Sequence, residues 1–155
     1  MRRRKFITLL GGSAAAWPLR AWSQQPEKMK RIGVLWPYTK DDPENQHRRK
    51  VFEQSLQRLG WIEGGSIGIE HRWFGGEPAF AQVVAKDLVA LQPDVIVVGT
   101  TSGLAAVAQE TRTIPIVFVA VSDPVGEGFV ASLARPSGNA TGFTFFRVLG
   151  RGKGT

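Results

Sequence analysis

The most constraining feature of the sequence is the stretch from Asp94 to Phe129, where two apolar runs flank a short amphipathic segment. The runs, 95–98 and 114–121, are apolar throughout instead of alternating, which is typical of strands covered on both faces in a parallel sheet. The segment between them carries apolar or small residues at helical spacing, namely Leu104, Val107, Ala108 and Thr111. The stretch therefore predicts a right-handed strand–helix–strand crossover.

The rest of the chain repeats this alternation of apolar runs and helical patterns. Strands are predicted at 31–37, 66–73, 95–98, 114–121 and 141–146. Helices are predicted to begin near Pro43 and Pro78, to cover the segment around Leu104, and to span Val125–Ala134. This order predicts a doubly wound, mainly parallel five-stranded α/β sheet with strand order 2-1-3-4-5.

The first two predicted helices have clear start signals and apolar faces. Asp42 is the expected N-cap before Pro43, and Gly60 is the expected stop. We expect the buried faces to consist of Phe52, Leu56 and Leu59 in the first helix, and of Phe80, Val84, Leu88 and Leu91 in the second. The run Arg48–Lys50 lies beside the first stripe and is expected to face solvent.

The second predicted strand alternates, unlike the others. Ile67, Ile69, His71 and Trp73 share one face, which suits a strand at the edge of the sheet. His71 is expected to be packed or hydrogen-bonded there, not to act as a metal ligand. His47 has no partner at ligand spacing, and neither histidine is given a functional role.

The charge and the cysteine content exclude several classes of protein. The net charge is +7, but the first twenty-five residues carry five basic and no acidic side chains, so the remainder carries +7 − 5 = +2. A nearly neutral body without a basic stripe argues against nucleic-acid binding. The chain has no cysteine, which excludes disulfides, a thiolate nucleophile and a cysteine-ligated zinc site.

The amino-terminal residues have the pattern of an export signal. Arg2–Lys5 precede a short apolar stretch, and Ala21-Trp22-Ser23 offers small residues for cleavage after Ser23. The apolar stretch is too short for a permanent anchor. We expect a periplasmic mature protein without a stable membrane anchor, and both twin-arginine and Sec export remain open.

Domain bounds follow from these elements. Residues 1–23 form the predicted signal, 24–30 a linker, 31–146 an α/β ligand-binding lobe, and 147–155 an irregular tail. The tail is rich in glycine and basic residues and forms no element, so the sequence predicts a truncated chain.

Polar residues follow three of the predicted strands. Ligands of open parallel sheets bind beyond the carboxyl ends of the strands. The candidate ligand-binding residues at those ends are Tyr38, Thr100, Thr101, Ser102, Ser122 and Asp123. The amino end of the helix after Thr100 suits a carboxylate, and Asp123 could offset an ammonium group. Alternatively, Thr101 or Ser102 caps that helix, and Asp123 caps the next one.

Rival classes with a similar sheet lack their signatures. A receiver-type signalling domain needs acidic residues where Trp36-Pro37 and Gly99-Thr100 stand. A dinucleotide-binding enzyme needs a glycine-rich turn after the first strand, and 37–43 contains no glycine. A serine hydrolase needs a glycine-framed nucleophile and a histidine partner. We therefore expect a protein that binds without catalysis and needs no cofactor or metal. The alternative interpretation is an α/β signalling or enzyme domain, of the receiver or hydrolase type.

The sequence resembles the substrate-binding proteins of bacterial ABC transporters, in the group allied to tryptophan and tyrosine uptake proteins. The match covers positions 1 to about 146, and its most specific segments are Pro93-Asp94-Val95-Ile96, Ile114-Pro115-Ile116-Val117-Phe118, Ser122-Asp123-Pro124-Val125-Gly126 and Asn139-Ala140-Thr141-Gly142-Phe143. The resemblance implies one lobe of a two-lobe periplasmic-binding-protein fold. It also implies a small organic solute, such as an aromatic amino acid, and an ABC permease as partners.

Overall fold

The chain forms an α/β unit with a single parallel sheet. A computed structural model describes residues 28–132 and 138–144. The strands and helices are β1 (Lys30–Trp36), α1 (Pro43–Arg58), β2 (Ile67–Trp73), α2 (Pro78–Ala90), β3 (Val95–Val98), α3 (Thr101–Glu110), β4 (Ile116–Val119) and β5 (Ala140–Phe143). Every neighbouring pair is parallel, and the order is β2-β1-β3-β4-β5. The predicted fold class and strand order are confirmed.

One face of the sheet is closed by α2 and α3. Leu35 pairs in register with Val98, and Val98 with Phe118, so these three side chains share that face, and each is at most 1% exposed. They pack in one apolar cluster with Leu88 of α2 and Leu104 of α3, both fully buried. This cluster is the core that holds the strand tips in place.

The opposite face is covered only in part. Phe52 of α1 packs edge-on against Trp36, with ring centroids 6.4 Å apart, above the β1 side of the sheet. Toward β4 and β5 the same face carries Val119, which is 41% exposed, and Phe143, which is 74% exposed. Apolar side chains therefore reach the surface beside α1 on this face.

Two expected core positions are exposed. Leu59 is the C-cap of α1 and is 75% exposed, and Phe80 in the first turn of α2 is 53% exposed. Both lie on the predicted apolar stripe, but at an end of the helix where no described element of the fold covers them. In α2 the buried positions are instead Ala81, Val84, Ala85 and Leu88.

The last crossover differs most from expectation. Residues 124–128 form a turn and 129–132 carry no helix, so the predicted helix Val125–Ala134 is wrong over its described part. The amide of Glu127 donates to the carbonyl of Asp123 as in a helix, but Gly128 then takes a positive φ of 76° and reverses the chain. The remaining predicted residues, 133–134, lie outside the described part.

The ends of two strands also shift. β4 is shorter than predicted because Pro115 has no amide hydrogen to donate and Ala120 leaves strand geometry with φ 64°. β5 begins at Ala140, and the predicted positions 145–146 lie outside the described residues, as do the export signal at 1–23 and the tail at 147–155. Within 28–132 and 138–144, no helix has the length and hydropathy needed to cross a membrane.

Candidate functional site

The predicted site residues lie along one edge of the sheet. β1, β3 and β4 are parallel neighbours in that order, so the segments that follow them leave the sheet on the same side. Tyr38 follows β1, Thr100–Ser102 follow β3, and Ser122–Asp123 follow β4. Both polar clusters thus leave the sheet at its carboxyl edge, as the predicted strand order requires, whereas their role in binding stays a prediction.

The amino end of α3 is the first component of this edge. The Thr100 side chain is the N-cap, and its Oγ1 accepts a hydrogen bond of 3.2 Å from the amide of Gly103. The sequence predicted a cap at Thr101 or Ser102, whereas the observed cap is the preceding residue, Thr100. Because the Thr100 side chain uses the Gly103 amide, the amides of Thr101 and Ser102 stand at the open, electropositive end of the helix. An anionic group would be stabilised there.

The second component is the turn after β4. Asp123 Oδ1 accepts a hydrogen bond of 2.8 Å from the amide of Gly126, and the side chains of Ser122 and Asp123 are exposed. Asp123 therefore caps one helical turn, close to the capping role considered as the alternative. The Asp123 side chain stays exposed while it caps this turn, so capping does not remove its negative charge from the surface.

The third component is the loop after β1, which carries Tyr38. Tyr38 is 44% exposed. The loop is fixed by Asn45 of α1, which is 1% exposed and whose Nδ2 donates to the carbonyl of Thr39 over 2.9 Å. Asn45 itself is placed by the Asp42 cap, since its amide donates to Asp42 Oδ1 over 3.0 Å. The sequence identified the cap, but not the polar residue behind it.

An apolar cavity of about 490 Å³ opens beside this edge, between α1 and the sheet. Its walls are the carboxyl ends of β1, β3 and β4 and one side of α1, and they include Trp36, Pro37, Val51, Phe52, Val98, Gly99, Val119 and Ala120. The volume lies in the range of small-molecule pockets, about 300–1,000 Å³. None of the six predicted residues lines this cavity. The sequence prediction used polar residues after the strands as its signal, and the largely apolar wall of this cavity carries no such signal.

Ala120 is a further residue that the sequence did not mark. It follows β4 directly, lines the cavity, and has φ 64°, a left-handed conformation that costs a non-glycine residue about 1 kcal/mol or more. Its amide donates to the carbonyl of Phe143 over 3.0 Å, which ties the turn to β5. The bend directs the chain away from β4 toward Ser122 and Asp123.

The fold defines an α/β lobe with an open parallel sheet, and comparison with known proteins gives the family. The sequence model of the family described as ABC transporter substrate binding protein matches residues 38–146. The chain belongs to this family of substrate-binding proteins. It is 31% identical over 116 residues to a protein from Clostridioides difficile called tyrosine-binding protein, a match that covers 75% of this chain and 33% of that protein.

Solved structures give the same result. A conserved domain protein from Vibrio cholerae is 33% identical with a TM-score of 0.69, and the match covers 76% of this chain and 39% of that one. A domain from Streptococcus pneumoniae in complex with L-Trp is 26% identical with a TM-score of 0.68, over the same shares. A ligand-free, open substrate-binding protein with adhesive properties from Clostridium difficile is 29% identical with a TM-score of 0.67, over 74% and 38%. The chain thus spans between a third and two fifths of the length of these relatives.

Proposed function

We propose that this chain is the ligand-binding lobe of an exported solute-binding protein that serves an ABC importer. Its solute is a small zwitterion of the aromatic amino-acid type, and its place of action is the periplasm. The family supports solute binding, while the relatives named for tyrosine and seen with L-Trp support the class of solute. The observation that carries the proposal is the pairing, at one sheet edge, of an open helix amino terminus with an exposed carboxylate.

The two poles have complementary chemistry. The amides of Thr101 and Ser102 at the start of α3 offer donors to a carboxylate. Asp123, after the neighbouring strand, offers an anion to an ammonium group. Tyr38 adds an exposed aromatic ring on the β1 side of the same edge. These three groups match the carboxylate, the ammonium group and the ring of an aromatic amino acid in chemical type.

Binding by this chain alone is expected to be weak. A small-molecule pocket usually encloses about 70–90% of its ligand, whereas Ser122, Asp123 and Tyr38 stand exposed on one open edge. Exposed charge pairs contribute about 0–1 kcal/mol each. Micromolar binding requires about 8 kcal/mol and millimolar binding about 4 kcal/mol. We therefore expect a dissociation constant near the millimolar range.

Amide chemical shifts in an NMR titration of the chain can detect such weak binding. Three related indoles test the carboxylate site at α3 and the ammonium site at Asp123 independently. They are L-tryptophan, tryptamine, which lacks the carboxylate, and indole-3-propionate, which lacks the amine. L-tryptophan should shift the amides of Thr101 and Ser102 and those around Asp123. Indole-3-propionate should shift only the first group, and tryptamine only the second.

The matched variants are Asp123→Asn and Asp87→Asn. Asparagine keeps the oxygen that accepts from the Gly126 amide but removes the charge. Asp123→Asn should therefore weaken the binding of L-tryptophan and tryptamine and leave the binding of indole-3-propionate unchanged. Asp87 is exposed on α2, away from the strand tips, and its variant should bind like the parent chain. Shifts confined to other surfaces, or equal losses in both variants, would contradict the proposed site. A micromolar constant would show that one lobe suffices.

A further inference from the structure

A polar cluster beneath α1 is not used by the proposed solute site. His71 of β2 is 11% exposed at its side chain and lies between two indoles, with ring centroids 6.0 Å from Trp36 and 5.9 Å from Trp73. Both ring nitrogens have partners. Trp36 Nε1 donates to His71 Nδ1 over 2.9 Å, and His71 Nε2 is 3.1 Å from Glu53 Oε1 of α1. The imidazole therefore links β2, β1 and α1.

These partners fix the tautomer of the neutral ring. An indole nitrogen can only donate, so Nδ1 must carry a lone pair and the proton must reside on Nε2. That proton points at Glu53, which also accepts from Arg49 Nε over 2.9 Å. In the neutral state both ring nitrogens of His71 thus have a partner of the right kind.

Protonation changes only one of the two bonds unfavourably. An imidazolium donates from both nitrogens, so an Nδ1 proton would face the Trp36 N–H, and two donors cannot share that hydrogen bond. The bond from Nε2 to Glu53 becomes charge-assisted and strengthens. A proton taken up by His71 therefore holds the imidazole to α1 while releasing Trp36.

Trp36 borders the apolar cavity, and its indole packs edge-on against Phe52, another residue of the cavity wall. Trp36 is 8% exposed and forms part of the cavity wall at the end of β1, directly before the loop that carries Tyr38. We propose that His71 is a protonation switch that sets the position of the Trp36 indole and, through it, the shape of the cavity between α1 and the sheet. The inference does not depend on which solute the chain binds.

The charged groups around His71 place the switch on the acid side of neutrality. Burial is the largest influence and lowers the pKa of His71 below the 6.5 of an ordinary histidine, with Arg49 acting in the same direction. Glu53 and Glu63 raise it, without reversing the net effect. The neutral, Trp36-bonded state is thus the one present at neutral pH.

The remaining charged neighbours contact groups other than the imidazole ring. On β2, Arg72 donates to the carbonyl of His71 and pairs with Glu70. Lys40, in the loop after β1, lies 5.9 Å from the Trp73 ring centroid. The β1 residue in contact with the imidazole is Trp36, which does not titrate.

Nitrogen-15 NMR of the 155-residue chain between pH 8 and pH 4 tests the switch, with the Trp36 indole signal assigned through Trp36→Phe. At pH 8, His71 should show an unprotonated Nδ1 and a protonated Nε2. On acidification the Trp36 indole signal should move with the same midpoint as the His71 ring, below pH 6.5. The opposite tautomer, or a Trp36 signal that stays constant while His71 titrates, would overturn the proposal.

Two histidine variants separate the switch from general acid effects. His71→Asn places a non-titrating oxygen acceptor near the position of Nδ1, so the Trp36 signal should keep its hydrogen-bonded position down to acid pH. His47 is exposed on α1 and lines the same cavity as Trp36, so His47→Asn tests whether that other histidine contributes; the Trp36 transition should stay as in the parent chain. A Trp36 transition that persists in His71→Asn would assign the effect to another group. If that variant fails to fold, the tautomer and the shared midpoint in the parent chain still decide the question.

Discussion

The contact between β1 and α2 can be tested through Gly33, where a strand residue without a side chain lies under a buried leucine. A Cβ added at Gly33 would stand 2.9 Å from Cδ1, 3.1 Å from Cγ and 3.3 Å from Cδ2 of Leu88. Ordinary carbon contacts are about 3.5–4.0 Å, so Leu88, which is fully buried, would have to move. Gly33→Ala is therefore an overpacking substitution.

The magnitude follows from two opposing effects. Overpacking a core costs about 1–3 kcal/mol, and replacing glycine with alanine recovers about 0.4–1 kcal/mol by restricting the unfolded chain. We expect Gly33→Ala to lower the free energy of unfolding by about 1–2 kcal/mol. Leu88→Ala should lower it by about 2–5 kcal/mol through the cavity it leaves. In the Leu88→Ala background the atoms that the new Cβ meets are gone, so Gly33→Ala should cost nothing further.

Urea unfolding of the parent chain, both single variants and the double variant measures this coupling, which should be about 1–2 kcal/mol. Gly68→Ala is the control, because its Cβ would lie 3.7 Å from the Met29 side chain, an ordinary contact. That change should stay within about 0.5 kcal/mol. If Gly33→Ala costs the same with and without Leu88, the packing of α2 over β1 described above is incorrect.

Three further predictions concern other parts of the fold. Burial lowers the pKa of His71 in the folded chain, so on acidification the unfolded chain takes up the proton first. The contribution of His71 to the free energy of unfolding is therefore complete above pH 6.5 and declines as the pH falls toward the folded pKa. Urea unfolding at several pH values should show this loss, and His71→Asn should lack it. Thr111→Val removes the Oγ1 that accepts from the amides of Thr113 and Ile114 and should cost about 1–3 kcal/mol, whereas Thr111→Ser should retain most of the stability. Asp42→Ala removes the cap of α1 and should cost about 0.5–2 kcal/mol in the same assay, while Asp42→Asn, which keeps the accepting oxygen, should cost little.

The local signals in the sequence were sufficient for most elements and for the order of the strands. The Asp42 cap, the edge position of β2 and the strand Val95–Val98 are confirmed, but that strand is fully buried on one face only, not on both as its apolar run predicted. Each depends on neighbouring residues alone, through capping, alternation or a continuous apolar run. The carboxyl edge of the candidate site was equally predictable, because parallel strands bring their ends to one side of the sheet.

Tertiary structure decided which apolar residues are covered. Leu59 and Phe80 follow helical periodicity yet are exposed to solvent. Periodicity shows which face of a helix is apolar, but not whether another element packs against that face. The turn at 124–128 likewise depends on a reversal at Gly128, which outweighs the apolar spacing of Val125 and Phe129.

The cluster of Trp36, His71 and Glu53 could not be found in the sequence for a related reason. The hydrogen-bonded partners of His71 lie 35 and 18 residues away along the chain, and no spacing rule connects them. The sequence determined that His71 lies on the inward face of an edge strand, where packing or hydrogen bonding was expected. Only the register of β1 against β2 and the position of α1 above them decided which groups hold its two nitrogens, since a hydrogen bond requires atoms about 3 Å apart in space, whatever their separation in the chain.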